Sequence, residues 1–152
     1  MEYINIWRNG KHIDTTHRIL NSKIFNDSIY TLNYSEAISP GDTITKNYEL
    51  PISNSIRTFQ HLKDTSNLRL RYIGYDHYIY DRKRYSVYKY QLDDPEADDE
   101  GMEYFFVPEF GIVIQRSTTW GSYGRLNSNS NPNDRNIIFY LVEKIILNMD
   151  CF

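Results

Sequence analysis

The run Tyr104-Phe-Phe-Val-Pro-Glu-Phe-Gly-Ile-Val-Ile114 constrains the fold more than any other part of the chain. Two apolar arms flank Pro108-Glu109. Proline cannot donate to a β-ladder, so it belongs at the turn or at an edge, and the run reads as a hairpin of Met102–Val107 and Gly111–Ser117. A polar, glycine-dotted turn follows through Trp120 and Tyr123. Beyond it Ile138, Leu141, Val142, Ile145, Ile146 and Met149 recur at spacings of three and four, which predicts one amphipathic helix over Ile137–Met149. Asn131-Pro132 supplies its start signal, with asparagine as cap and proline at the first helical position.

The upstream sequence is strand-like. Tyr3-Ile-Asn-Ile-Trp7 alternates, Asn9-Gly10 suits a type I′ turn, and Lys11–Asp14 resumes the alternation. Tyr30, Leu32 and Tyr34 share one face of a second strand within Ile24–Tyr34. Ser39-Pro-Gly-Asp42 reads as a turn before a short strand over Thr43–Ile52. Ser53–Lys63, with Ile56, Phe59 and Leu62, predicts a short helix. Leu68–Tyr72 alternates again, and Tyr78–Tyr80 and Tyr85–Leu92 flank a charged turn, Asp81–Arg84. Asn127–Asn136 reads as a loop. The expected fold is therefore α+β: a curved antiparallel β-sheet packed against a C-terminal amphipathic α-helix, in a single domain over residues 1–152.

Composition narrows the function classes. Tyrosine accounts for 14 of 152 residues; its ring suits a pleated surface and its hydroxyl suits interfaces. A net charge of -3 argues against nucleic acid as the partner, because phosphate affinity needs a basic excess. Cys151 is alone, which excludes an internal disulfide and a thiolate metal cluster. No apolar run approaches the roughly 18 residues a membrane span needs. Met1-Glu-Tyr-Ile-Asn lacks the basic and apolar pattern of a signal peptide. Those residues fit a cytoplasmic protein as written, or a periplasmic or membrane-anchored one whose export signal was trimmed.

Candidate chemistry is sparse. His12, His17, His61 and His77 have no zinc-ligand spacing, and no metal or cofactor site is expected. No G-x-S-x-G elbow, dinucleotide fingerprint or P-loop is present, so no catalytic residue is assigned. His77 or His61 with Arg82 or Arg84 would serve a metal-independent nuclease. Charge is segregated. Arg69, Arg71, Arg82, Lys83, Arg84 and Lys89 crowd one stretch, and the next carries Asp93, Asp94, Glu96, Asp98, Asp99 and Glu100. Such a field speeds association with a partner of opposite sign. Trp120 and Tyr123, on a turn, suit binding anchors.

The hairpin Tyr104–Ile114 with Ser117-Thr-Thr-Trp120 looks like the closing hairpin of small bacterial proteins, many of them lipoproteins. The whole chain, acidic, aromatic-rich and without catalytic motifs, resembles polymorphic-toxin immunity proteins. That resemblance implies a non-enzymatic protein that binds and neutralises a toxin domain. The expected contact residues are Asp93, Asp94, Asp98, Asp99 and Glu100 for steering, with Trp120 and Tyr123 as anchors. The alternatives are an envelope-associated lipoprotein domain holding an apolar ligand between sheet and helix, and the nuclease.

Overall fold

The computed structural model describes residues 1–6, 13–53, 67–92 and 101–152. Ten strands follow in chain order: β1 (Glu2–Ile6), β2 (Ile13–Asn26), β3 (Ile29–Ser39), β4 (Asp42–Pro51), β5 (Asn67–Arg69), β6 (Arg71–Tyr80), β7 (Lys83–Leu92), β8 (Met102–Val107), β9 (Gly111–Ser117) and β10 (Tyr123–Leu126). A 3₁₀ turn (Ser128–Ser130) leads to one helix, α1 (Arg135–Asn148).

All ten strands join one sheet in the order β5-β4-β3-β2-β1-β10-β9-β8-β7-β6. Its two ends, β5 and β6, are separated in sequence by Leu70 alone, so a single strand path links both edges. The sheet is thereby nearly closed into a barrel. With β5 and β6 counted as one path, nine paths surround the interior. An odd ring cannot be antiparallel throughout, and the β4–β5 pair is indeed parallel, with Tyr48 opposite Leu68. Parallel neighbours need a long crossover, here the segment after Pro51.

β2 turns the corner between the two halves. Its first residues, Ile13–His17, pair with β1, whereas Arg18–Asn26 pair with β3. The half containing β3 and β4 folds over one face of β7–β9 and encloses Leu32, Tyr34, Tyr48, Leu50, Leu70, Tyr90, Tyr104, Phe106 and Ile112. On the opposite face α1 packs Ile138, Leu141, Val142 and Ile145 against Val87, Phe105, Val107 and Ile114. The β8–β9 hairpin is covered on both faces, which is why its sequence is apolar without alternation. Tyr104 and Phe106 point inward while Phe105 and Val107 point to the helix.

These observations correct the expected fold class. Among the described residues the protein is mostly β, a mixed ten-stranded barrel-like sheet carrying one 14-residue helix, rather than α+β with a helix closing an open sheet. The helix does pack where the apolar stripe placed it, but the sheet closes largely on itself. The helix spans Arg135–Asn148, two residues earlier at its start than the Ile137 of the apolar stripe, but its cap is not the expected Asn131. Asp134 precedes its first residue, and Asn131 instead donates its side-chain amide to Asp134 Oδ2 at 2.9 Å. The turns at Ser39–Asp42 and Pro108–Glu109 stand as expected, and the one expected over Asp81–Arg84 narrows to Asp81–Arg82, because Lys83 and Arg84 already pair in β7. Asn9-Gly10 and all but the first residue of the expected Ser53–Lys63 helix lie outside the described residues.

Candidate functional site

The turn between β9 and β10 is built by three local hydrogen bonds. Ser117 N–H donates to Ser122 O (2.8 Å), Trp120 N–H donates to Ser117 Oγ (3.0 Å), and Thr118 N–H donates to Gly101 O (2.8 Å). Gly121 closes the turn with a φ of 64°, in the left-handed region that a side chain disfavours. Trp120 is left 59% exposed at its tip, whereas Tyr123 is half-buried in β10 opposite Arg116. Thr118 also donates its hydroxyl to Gly101 O at 3.0 Å, and a Cβ at Gly101 would collide with Thr118 Oγ1. A side chain at that position would have to displace the Thr118 hydroxyl and its bond to Gly101 O.

A cleft of about 370 Å³ opens beside this turn. Ser117, Thr118, Ser122 and Tyr123 line one wall, Met149 and Asp150 the other, and Arg116 reaches between them. Charged side chains brace it from below. Glu103 pairs with Lys89 (3.0 Å) and Arg116 (2.5 Å), and Arg116 also holds Asp150 at 2.6 Å. Lys89 donates to Met149 O at 2.9 Å, placing a cation at the carbonyl end of α1. Lys89 and Glu103 are both buried, and each faces an opposite charge in place of the water it has lost. The hydrogen bond from Arg116 and its charge keep the Asp150 carboxyl below its ordinary range, although Asp150 is 82% exposed.

Asp93, Asp94, Asp98, Asp99 and Glu100 lie outside the described residues. Their attachment points are described. Leu92 pairs with Met102, and Met102 pairs in turn with Ser117. The acid-rich stretch of sequence therefore leaves and rejoins the sheet beside the strand that leads to Trp120. The basic stretch is less free than its sequence implied. Arg69 pairs with Glu49, Lys83 with Glu109 (3.7 Å) and Lys89 with Glu103, and Arg71 donates to Gln91 Oε1 (2.6 Å).

The residues of the nuclease reading are dispersed. His77 Nδ1 meets Ser86 Oγ at 3.2 Å, and Asp76 bonds the His77 backbone N–H rather than its ring. Arg84 lies opposite Ile79 and Arg82 sits in the β6–β7 turn, while His61 is outside the described residues. The space between α1 and the sheet, where an apolar ligand would sit, is filled by Ile138, Leu141, Val142 and Ile145. Among the described residues, no three His, Cys, Asp or Glu side chains cluster to hold a metal ion, and no helix is long and apolar enough to cross a membrane.

Sequence reasoning missed the polar interior. Arg18 is buried over the Tyr3 ring, donates to Gln115 Oε1 (2.8 Å), and lies 3.0 Å from Glu36 Oε2 in a contact whose angle is that of an ion pair, not a hydrogen bond. Lys46 shares the same carboxylate at 3.1 Å. Nothing local in Thr16-His-Arg-Ile19 signals a buried cation. Compared with known protein families, with curated proteins and with solved structures, the chain matches none.

Proposed function

We propose that this protein is a non-enzymatic binding module, an immunity-type protein that sequesters a bacterial toxin domain through the β9–β10 turn. One observation carries the reading. Trp120 stands in solvent on a turn hydrogen-bonded to Gly101, the residue at which the acid-rich stretch re-enters the sheet. An exposed tryptophan held by a rigid turn costs little entropy to dock, and aromatic residues of this kind dominate binding hot spots. Asp93, Asp94, Asp98, Asp99 and Glu100, which precede Gly101 in the sequence, supply negative charge that draws in a basic surface. The adjacent cleft, with Tyr123 in its wall, offers a recess for one partner side chain.

The test is co-expression with the product of the neighbouring gene in a sensitive host. Growth rescued by the wild-type chain and lost with Trp120→Ala supports the reading. Equal rescue by Trp120→Ala moves the contact elsewhere, and no toxicity to rescue removes the toxin assignment.

A further inference from the structure

β2 is a 14-residue strand in which only Arg18 is buried. β1 covers its first half, and at the edge of that pairing Arg18 N–H donates to Met1 O at 2.9 Å. Beyond Arg18, among the described residues, β2 pairs only with β3. Among the described residues, one side of Ile19–Asn26 is thus an open strand edge, and Ile19, Ile24 and Phe25 are exposed along it. Proteins ordinarily guard such an edge with an outward lysine. Here the sole charge, Lys23, turns away and donates to Pro108 O.

A second feature ends at the same edge. One asparagine from each strand of this half forms a ladder. Asn21 Nδ2 donates to Asn33 Oδ1 (2.7 Å), Asn33 Nδ2 to Asn47 Oδ1 (2.5 Å), and Asn47 Nδ2 to Asn67 Oδ1 (2.8 Å). Asn21 Nδ2 also donates to Ser35 Oγ at 2.8 Å, which uses both of its hydrogens. The ladder is directional, and Asn21 Oδ1 remains at the open edge as an acceptor awaiting a donor. Asn21 is placed there by the bulge between Leu20 and Ser22. That bulge also divides the edge and disfavours indiscriminate pairing.

We propose that the open edge of β2 is a strand-addition site. It takes an extended segment of a partner polypeptide whose amide side chain stands opposite Asn21 and adds one rung to the ladder. Backbone bonds supply the affinity and the side-chain rung the selectivity. A second copy fits less well. A two-fold axis at Asn21 opposes two acceptors, and an axis at Ser22 sets Asn21 against Lys23, which points to the other face.

The test is NMR on the full chain with a synthetic peptide, Thr-Val-Thr-Val-Gln-Val-Thr-Val-Thr, and its central Gln→Glu form, which presents only acceptors. Alternation from Arg18 points the Leu20 N–H to the open side. The expected result is saturable binding of the Gln peptide with slowed exchange of the Leu20 amide, about tenfold weaker binding of the Glu form, and loss of that discrimination in Asn21→Ala. No saturable binding overturns the proposal, as does equal affinity of the two peptides or protection confined to other strands. Protection of Leu20 that rises with protein concentration alone assigns the edge to a second copy and overturns it too.

Discussion

The hydroxyls of Tyr3 and Tyr34 grip the two backbone polar groups of a single residue, Ile112. Tyr3 O–H donates to Ile112 O at 2.6 Å, and Ile112 N–H donates to Tyr34 Oη at 3.0 Å. Ile112 lies two residues past the last β10–β9 pair, Arg125 with Ile114, and next to a register shift in the β8–β9 ladder, where Phe105 pairs with Ile114 but Phe106 with Ile112. A bulge of this kind disrupts the ladder locally, and buried backbone groups without partners are costly. Two tyrosines from distant strands thus fasten the central hairpin to both halves of the barrel.

Tyr34→Phe leaves the buried Ile112 N–H without its acceptor, and the expected cost is about 1–3 kcal/mol. Tyr90→Phe provides the opposite sign. The Tyr90 hydroxyl is buried with no hydrogen-bond partner, so its removal is expected to be neutral or stabilising by about 1 kcal/mol. Urea unfolding of both variants checks the pair, and similar losses in the two would contradict the assignment.

Alkaline pH should unfold the protein. Burial pushes the Tyr48 hydroxyl up to about 12, and burial likewise holds Tyr3, Tyr34, Tyr90 and Tyr104 above their ordinary value. An unfolded tyrosine titrates near ~10. Above that pH the unfolded chain releases protons that the native barrel retains. The stabilisation is complete below about pH 10 and falls as pH rises through the folded values, by about 1.4 kcal/mol per pH unit for each such group. Tyrosinate absorbance from these residues should therefore appear together with loss of circular dichroism, not before it.

Glu103 is the shared anion of Lys89 and Arg116 beneath the cleft. Glu103→Gln strands the buried Lys89 ammonium and is expected to cost roughly 3–5 kcal/mol. Lys89→Met costs less, because Glu103 keeps Arg116, although Met149 O loses its donor. Thermal unfolding orders the two variants, and an equal or smaller loss for Glu103→Gln would show that Glu103 is not the hub.

Replacing Asp93, Asp94, Asp98, Asp99 and Glu100 with serine should slow association with the partner and flatten its salt dependence, leaving dissociation nearly unchanged. Stopped-flow mixing at several ionic strengths separates the two rates. A wild-type on-rate in the serine variant removes the steering role.

What the sequence displayed was local. The β8–β9 hairpin, the turn at Asp81–Arg82 and the amphipathic stripe of α1 each announce themselves within a few residues. β2 did not, because Ile19 and Ile24 face solvent and its buried residue is an arginine, the inverse of the usual alternation. β10 is four residues long and contains Gly124, yet it sits between β1 and β9 in the sheet. The parallel β4–β5 pair depends on contacts far apart in sequence, and no local pattern encodes it. At the site, Trp120 was legible as a turn aromatic, whereas Tyr123, expected on the same turn, opens β10 opposite Arg116. The bonding of the Trp120 turn to Gly101 was not legible, because it follows from β8 pairing with β9.

The central claim is that the Trp120 face holds a protein partner. Tagged wild-type and Trp120→Ala chains should be purified side by side from the native cells, with the bound proteins identified by mass spectrometry. The account predicts one basic protein, stoichiometric with the wild type and missing from the Trp120→Ala sample. No stoichiometric protein with the wild type, or the same protein retained by Trp120→Ala, would contradict it.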